Sequence, residues 1–383
     1  MTLFEPPGET PLVHARTPSD ARSRRRRRGI TLVTLAMLFT VVYTAIPVPF
    51  AIEHPGPWWN TLGNQTVFEE CSPEPTEEGT QPLIEISGTT VYATTGALDL
   101  LTVCLEGTPE VRPNWFDVIT AYFTPSQSVI PFEYVYPKDE TQEERDTANA
   151  ADMVDSQAEA IAAAMTYLGY SVEAGVTVRE TSSGMPADGV VLPGDVIVAV
   201  NSNPLTSIDK LIEAVQSAGA GTPVDLTLDR SGQAVVVTVT PVAKEGKAFI
   251  GLIGQTAYNY PFDVTIHLND VGGPSAGMMF ALGIIDKVTP DDLTGGKKFA
   301  GTGTIDAAGT VGPIGGIREK MYSAQAAGAE FFLAPVDDCA EVIGHIPAGL
   351  QVFAVTTLHE AVNAVTTAAS GKAEAIAQLP ACR

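Results

Sequence analysis

From Gly29 to Ile52 the chain carries no charged residue, and the five residues before that run, Arg24 to Arg28, are all arginine. A helix needs roughly 20 apolar residues to cross a bilayer. The segment "GITLVTLAMLFTVVYTAIPVPF" meets that length and is read as a transmembrane helix over residues 29–49, with Pro47 and Pro49 marking its stop. Arginine ahead of a span keeps that side in the cytoplasm. Residues 1–28 are then a basic cytoplasmic tail, and the rest of a single-pass cell-membrane protein is expected outside the cytoplasm. A cleaved signal peptide is the competing reading, but the run is long for one and no small-x-small cleavage site follows it. Trp58 and Trp59 suit either the interfacial belt or a packed core.

The chain has 383 residues, enough for two or three domains. Its net charge of −23 divides into +4 over residues 1–28 and hence −27 beyond them. So acidic a body disfavours nucleic acid, whose binding depends on lysine and arginine against phosphates. Four cysteines, Cys71, Cys104, Cys339 and Cys382, have no C-x-x-C spacing and suggest no zinc site. Outside the cytoplasm disulfides persist. Sequence proximity favours Cys71–Cys104 and Cys339–Cys382, with free buried thiols as the alternative.

Residues 53 to about 80 are rich in Pro, Gly, Thr and Glu and read as a connector within a membrane-proximal β/α region over 53–165. Strands are expected within 83–107 and an Ala-rich helix over 146–170. The next block, 170–244, runs strand, turn, strand, helix, strand, strand. Ser207 caps its helix, and a hairpin turns at Ser231-Gly232. Its "PGDVIVAVN" resembles the PDZ signature. That resemblance implies a small β-sandwich that binds extended peptides or C-termini by strand addition, or else a spacer of the same fold. Beyond 248 strands and helices alternate: a strand in "FAGTGTI", a helix over Ile317 to Ala327 ended by Gly328, a strand in "AEFFLAP", and a strand and helix in "LQVFAVTTLHEAVNAVTTA". Residues 371–383 form a tail carrying Cys382.

The stretch "GGPSAGMMFALGIID", 272–286, places Ser275 between glycines at the mouth of an apolar helix starting at or just after Pro274. Free N–H groups at such a helix start stabilise a developing oxyanion, which makes Ser275 a candidate nucleophile; a plain serine cap is equally common. A serine needs a base. His14, His54, His267, His345 and His359 form no convincing Ser-His-Asp pattern, and G-x-S-x-G is absent. Lys320 fits better. Ile317, Lys320, Ala324 and Ala327 share one helix face, apolar apart from the lysine, while Arg318, Tyr322 and Gln325 share a polar one. A buried amine loses basicity, as a base working near pH 7 requires; a snorkelling lysine with its amine in water is the alternative.

"GGPSAG" followed by "AGTGTIDAAGTVGPIGGIREK" resembles the proteolytic domain of the Lon family of serine peptidases, over about 120 residues, 248–370. The resemblance implies that Ser275 is the nucleophile, Lys320 the general base and Thr302 the residue that orients the lysine amine. Backbone N–H groups at Ser275 and Ala276 would form the oxyanion site. Together with the anchor and the PDZ-like unit, the arrangement resembles the membrane-anchored YlbL-like Lon-domain proteins of bacteria. Two departures stand out. No G-x-x-x-x-G-K-[ST] loop is present, so unfolding of substrates is not expected to be powered by this chain. Gly272 and Gly273 occupy places where Lon commonly has Asp; Asp270 is nearby without an assigned role.

The sequence thus leads us to expect an α+β and α/β multidomain protein with one N-terminal transmembrane helix, a PDZ-like domain and a Ser-Lys proteolytic domain. The expected activity is ATP-independent hydrolysis of exported or membrane polypeptides, with no metal or organic cofactor implied. A homo-oligomer is suggested by resemblance alone. The rival is a non-catalytic PDZ scaffold whose Lon-like domain only binds peptides; a third reading is a peptidase that cleaves only itself.

Overall fold

The computed structural model describes residues 18–69, 71–72, 75–137, 141–244, 246–268 and 271–382, apart from the side chains of 18–24, 39, 41, 42, 44 and 45. His14 and Asp270 lie outside these residues.

Six strands form the central sheet, in the order Gln351–Val355, Phe331–Pro335, Lys298–Gly301, Ala97–Glu106, Phe50–Asn60, Ser128–Pro131. The first four run parallel and the last two antiparallel to their neighbours. Successive residues of a strand face opposite sides, and here the alternation feeds two cores. Leu98, Leu100, Phe299, Leu333 and Phe353 face one. Leu101, Ala300, Phe332, Ala334 and Val352 face the other. Helices Gln142–Tyr167, Gly277–Val288 and Leu358–Ala369 cover the first face, and helix Ile317–Ala327 covers the second. The expected separation of a 53–165 region from the 248–370 domain is corrected here, because three of the six strands come from before residue 132.

The connector reading of 53–80 is also corrected. Strand Phe50–Asn60 begins this stretch, and a hairpin of Asn64–Phe68 with Pro75–Pro82 follows. Proline removes a ladder donor and is tolerated in strands at irregularities. Here the register shifts between Pro55 and Trp58, and Thr102 Oγ1 donates to Pro57 O at 2.8 Å. The composition of the segment hid that bulge.

The PDZ-like unit is a five-strand antiparallel path: Gln233–Val239, Val224–Arg230, Val196–Val200, Glu173–Thr181, Leu252–Asn259. Ser207 caps helix Ile208–Ala218, whose Leu211 and Val215 pack with Val176, Ile197, Leu226 and Leu228. The hairpin turns at Ser231 and Gly232 with φ +55° and +83°, the left-handed pair that suits a two-residue loop. The aspartate of the "PGD" motif has a structural task. Arg230 donates from Nε and Nη2 to Asp195 at 2.8 and 2.7 Å, pinning the turn before strand Val196–Val200. The unit leaves the central body after helix Gln142–Tyr167 and returns through strand Leu252–Asn259, so it is an insertion. Tyr260 fastens the return by donating from its hydroxyl to Ala158 O at 2.8 Å.

At the other end of the chain, helix Pro18–Ala45 contains the arginine run and stops before Pro47. Its Ile30, Leu32, Val33, Leu35, Met37 and Leu38 are exposed. Among the described residues no helix is long and apolar enough to cross a membrane, so the expected 29–49 span gains no support from the fold. Cys71 is bonded to Cys104 and Cys339 to Cys382, the pairings that proximity favoured. The second bond and the contact from Ala354 N to Pro380 O, 3.0 Å, hold the C-terminal tail against the sheet.

Candidate active site

Parallel strand Lys298–Gly301 ends just before Thr302, and the helices carrying Ser275's loop and Lys320 meet there from opposite faces of the sheet. Ligands of open α/β sheets sit beyond the carboxyl ends of their strands. Helix Gly277–Val288 starts two residues after Ser275, later than expected, with Ala276 at its N-cap and no side-chain cap bond. The hydroxyl is therefore free of the capping role. The helix is buried on every side: Met278, Met279, Phe280, Leu282 and Ile284 have no exposed surface. Each such side chain contributes roughly 1.5–3 kcal/mol on burial, which makes the helix a rigid base for the serine.

The loop before it is fixed at several points. Ser275 O accepts from Gly303 N at 2.8 Å and from Thr302 Oγ1 at 3.0 Å. Ser156 Oγ donates to Pro274 O at 2.9 Å, and Gly273 N donates to Asn149 O at 2.8 Å. A Cβ at Gly272 would stand 2.6 Å from Asn149 Cβ, and one at Gly277 would stand 2.8 Å from Ile305 Cγ2. The glycines around Ser275 thus let helix Gln142–Tyr167 and the 304–305 strand approach the loop. Asn149 and Ser156 lie more than a hundred positions upstream of the serine, and nothing local in the sequence singled them out. Met278 N is committed to Gly303 O at 3.1 Å, so any oxyanion donors at this helix start lie upstream of it.

Lys320 arrives from the other face. Gly316 opens its helix with φ +67°, and a Cβ there would lie 2.5 Å from Val103 Cγ2. Ile317, Lys320 and Ala324 are buried as the periodicity required. Arg318 is half-buried instead of pointing into solvent, its Nε donating to Pro125 O at 2.9 Å. Lys320 Nζ is 2.9 Å from Ser275 Oγ and 3.2 Å from Thr302 Oγ1. The structure brings Ser275, Lys320 and Thr302 together. The snorkelling alternative does not hold, because Lys320 is 3% exposed.

Burial pushes the Lys320 amine down to about 8, against the opposing pull of Asp338, Glu53 and Glu319. At pH 7 about one amine in ten is then neutral and able to accept a proton. These three carboxylates escaped the sequence reading. Glu319 is buried, and Ser128 Oγ donates to it. Glu53 is raised to about 6 by its own burial and by Glu319, offset by Lys320. Asp338 accepts from Ile314 N at 3.1 Å and is raised chiefly by burial. A charged side chain at 319, beside a lysine on a helix, carries no local sign that it points inward.

A cavity of about 810 Å³ opens over the pair, lined by Trp59, Phe68, Leu100, Met153, Leu268 and Val271 among others, with both disulfide sulfurs' residues Cys71 and Cys104 on its wall. That volume accommodates several side chains of an extended chain. His267 also lines it, but its Nε2 pairs with Glu85 Oε2 and Gln81 Nε2, each at 2.9 Å. His345 bonds Glu341 O, His359 packs on the Tyr167 ring, and His54 Nδ1 lies 3.3 Å from Pro55 O. Among the described residues one metal-sized cluster exists, His54 with Cys71 and Cys104, and its sulfurs are bonded to each other instead of being thiolates.

Residues 252–368 match the Lon protease C-terminal proteolytic domain, and residues 151–240 match the PDZ domain. Lon protease 2 of Bacillus subtilis is 27% identical over 196 residues, 49% of this chain and 35% of that protein. Lon protease 1 of Sorangium cellulosum is 33% identical over 114 residues, 29% of this chain and 14% of that protein. This chain therefore spans about a third or less of the length of these relatives. Among solved structures, the PDZ domain of an SdrC-like protein from Listeria innocua is 22% identical, covering 21% of this chain and 92% of that one, with a TM-score of 0.20. The Lon match begins at residue 252, yet strand Leu252–Asn259 lies in the PDZ-like sheet.

Proposed function

We propose that this chain, which joins a PDZ domain to a Lon-type proteolytic domain, is a membrane-anchored serine endopeptidase that works without ATP. The observation that carries the reading is the 2.9 Å contact between Lys320 Nζ and Ser275 Oγ in a site dry enough to lower the amine to about 8. Neutral Lys320 takes the serine proton as Oγ attacks a peptide carbonyl. Backbone N–H groups of Ser275 and Ala276 hold the oxyanion. Thr302 keeps the ammonium aimed while it passes its proton to the leaving amine. Lys320 then activates the water that hydrolyses the acyl-enzyme.

The uncharged run from Gly29 to Ile52 supports the anchor, with the arginines on the cytoplasmic side. The two disulfides suit an extracytoplasmic body. Substrates are extended or unfolded segments of exported or membrane proteins, and the PDZ unit presents peptide termini to the cleft or gates it. The test is incubation of the purified chain with an unfolded protein, beside Ser275→Ala and Lys320→Ala. Cleavage by the wild type alone is expected. Equal cleavage by all three, or by none, overturns the proposal.

A further inference from the structure

We infer that helix Trp115–Phe123 and the turn Phe132–Val135 form a second membrane contact, lying in the bilayer interface beside the point where the chain leaves it. This rests on the anchor reading above. The helix is amphipathic in an unusual sense. Val118 and Ala121 pack inward against Val48 and Ile52, while the outward face is apolar too. Phe116 is 61%, Tyr122 76%, Phe123 79% and Tyr134 82% exposed, with Ile119 and Trp115 partly so.

Its position is set by the end of the uncharged run. Pro47 bridges to Asn114, Val48 N donates to Pro113 O at 3.1 Å, and the Tyr43 ring stacks on Trp115 with centroids 6.1 Å apart. The aromatic face thus starts where helix Pro18–Ala45 ends. Charge is nearly absent. From Val111 to Gln127 only Arg112 and Asp117 are charged, and the turn Phe132–Val135 adds the exposed Glu133. The Arg112 guanidinium lies over the Phe132 ring at 4.0 Å, and Asp117 accepts from Asn114 N in the capping box. On a body of net −27, this aromatic plate carries only Arg112, Asp117 and Glu133 and lies next to the exit of an apolar helix. Tyrosine and tryptophan collect at the level of lipid headgroups, where one end of the ring is dry and the other wet. An apolar helix face at this level reaches about 5–10 Å into the interface. The occupant is therefore a lipid bilayer, and, given the acidic body, one with neutral headgroups.

The test uses the full chain in phosphatidylcholine vesicles, with acyl chains brominated near the headgroup. Phe123→Trp places an emitter on the plate, and Val236→Trp places one on an exposed position of the PDZ sheet. Flotation with the vesicles reports the anchor, and quenching reports the plate. The expected result is flotation of both variants, with loss of about half of the added Phe123→Trp emission, as for an interfacial ring, and none of the Val236→Trp emission. Flotation without quenching at position 123 overturns the inference alone and points to a protein partner, a second copy included. Absence of flotation overturns the anchor and the inference with it. Cleavage activity is a separate readout and decides neither.

Discussion

Changing Asp338 to Asn tests whether the basicity of Lys320 is set by its surroundings. Asp338 is the first of the carboxylates that oppose the effect of burial on this amine. The amide is isosteric and can still accept from Ile314 N, so the loop leading to the lysine helix stays bonded. Removing the negative charge destabilises the ammonium, and the pKa falls below about 8. With Lys320 at about 8, about one tenth is neutral at pH 7; were it to fall to about 7, half would be neutral. A fall of that size would raise kcat/KM at pH 7 by at most about fivefold. Well above pH 8 the base is neutral in both proteins, and the variant, as the weaker base, is equal or slower. The assay is the pH profile of kcat/KM on a fluorogenic peptide from pH 5.5 to 10. An acid limb that stays in place or moves to higher pH refutes the electrostatic account. A uniform loss at all pH values with an unmoved midpoint assigns Asp338 to loop geometry instead.

Two further outcomes follow from the geometry. Thr302→Val removes the hydroxyl that bonds both Lys320 Nζ and Ser275 O; kcat should fall about 10–100-fold, the usual effect of losing a residue that orients a functional group, while KM stays within a few-fold, measured by steady-state kinetics. Asp99, buried in the central sheet, is raised to about 7 chiefly by burial. Its neutral form is favoured in the fold, so this contribution is complete below the unfolded value near 4 and is lost as pH rises through about 7, on the order of 4 kcal/mol. Asp99→Asn should therefore melt higher than the wild type at pH 8, with the difference shrinking as pH falls and closing below about pH 4; a variant less stable at pH 8 contradicts this.

Local signals singled out Ser275 and Lys320, which the structure brings together, and the elements that bear them. The glycines at 315, 316 and 328 bracket the Lys320 helix, and the apolar stretch after Ser275 announced a buried helix. What stayed hidden was non-local. Strand Phe50–Asn60 contains two prolines whose lost donors are excused only by a bulge against its partner. Strand Leu252–Asn259 pairs with Glu173–Thr181, so the chain crosses from one unit to the other later than composition suggested. The inward turn of Glu53, Glu319 and Asp338 depends on which elements come together around Lys320, as do the bonds of Asn149 and Ser156 to the serine loop.

The interleaved sheet has a bearing on how the molecule can be dissected. A piece cut at residue 252 retains Ser275, Thr302 and Lys320 but only three of the six strands. It also lacks Glu53, whose charge acts on the Lys320 amine, and Leu101 and Val103, which line the same cavity as that lysine. With less burial around it the amine would regain basicity toward that of a free lysine, and less of it would be neutral at pH 7. The Ser275–Lys320 site is thus completed by the very strand that follows the N-terminal helix, so a piece shorn of that strand is expected to keep Ser275, Thr302 and Lys320 without the burial that lowers the amine.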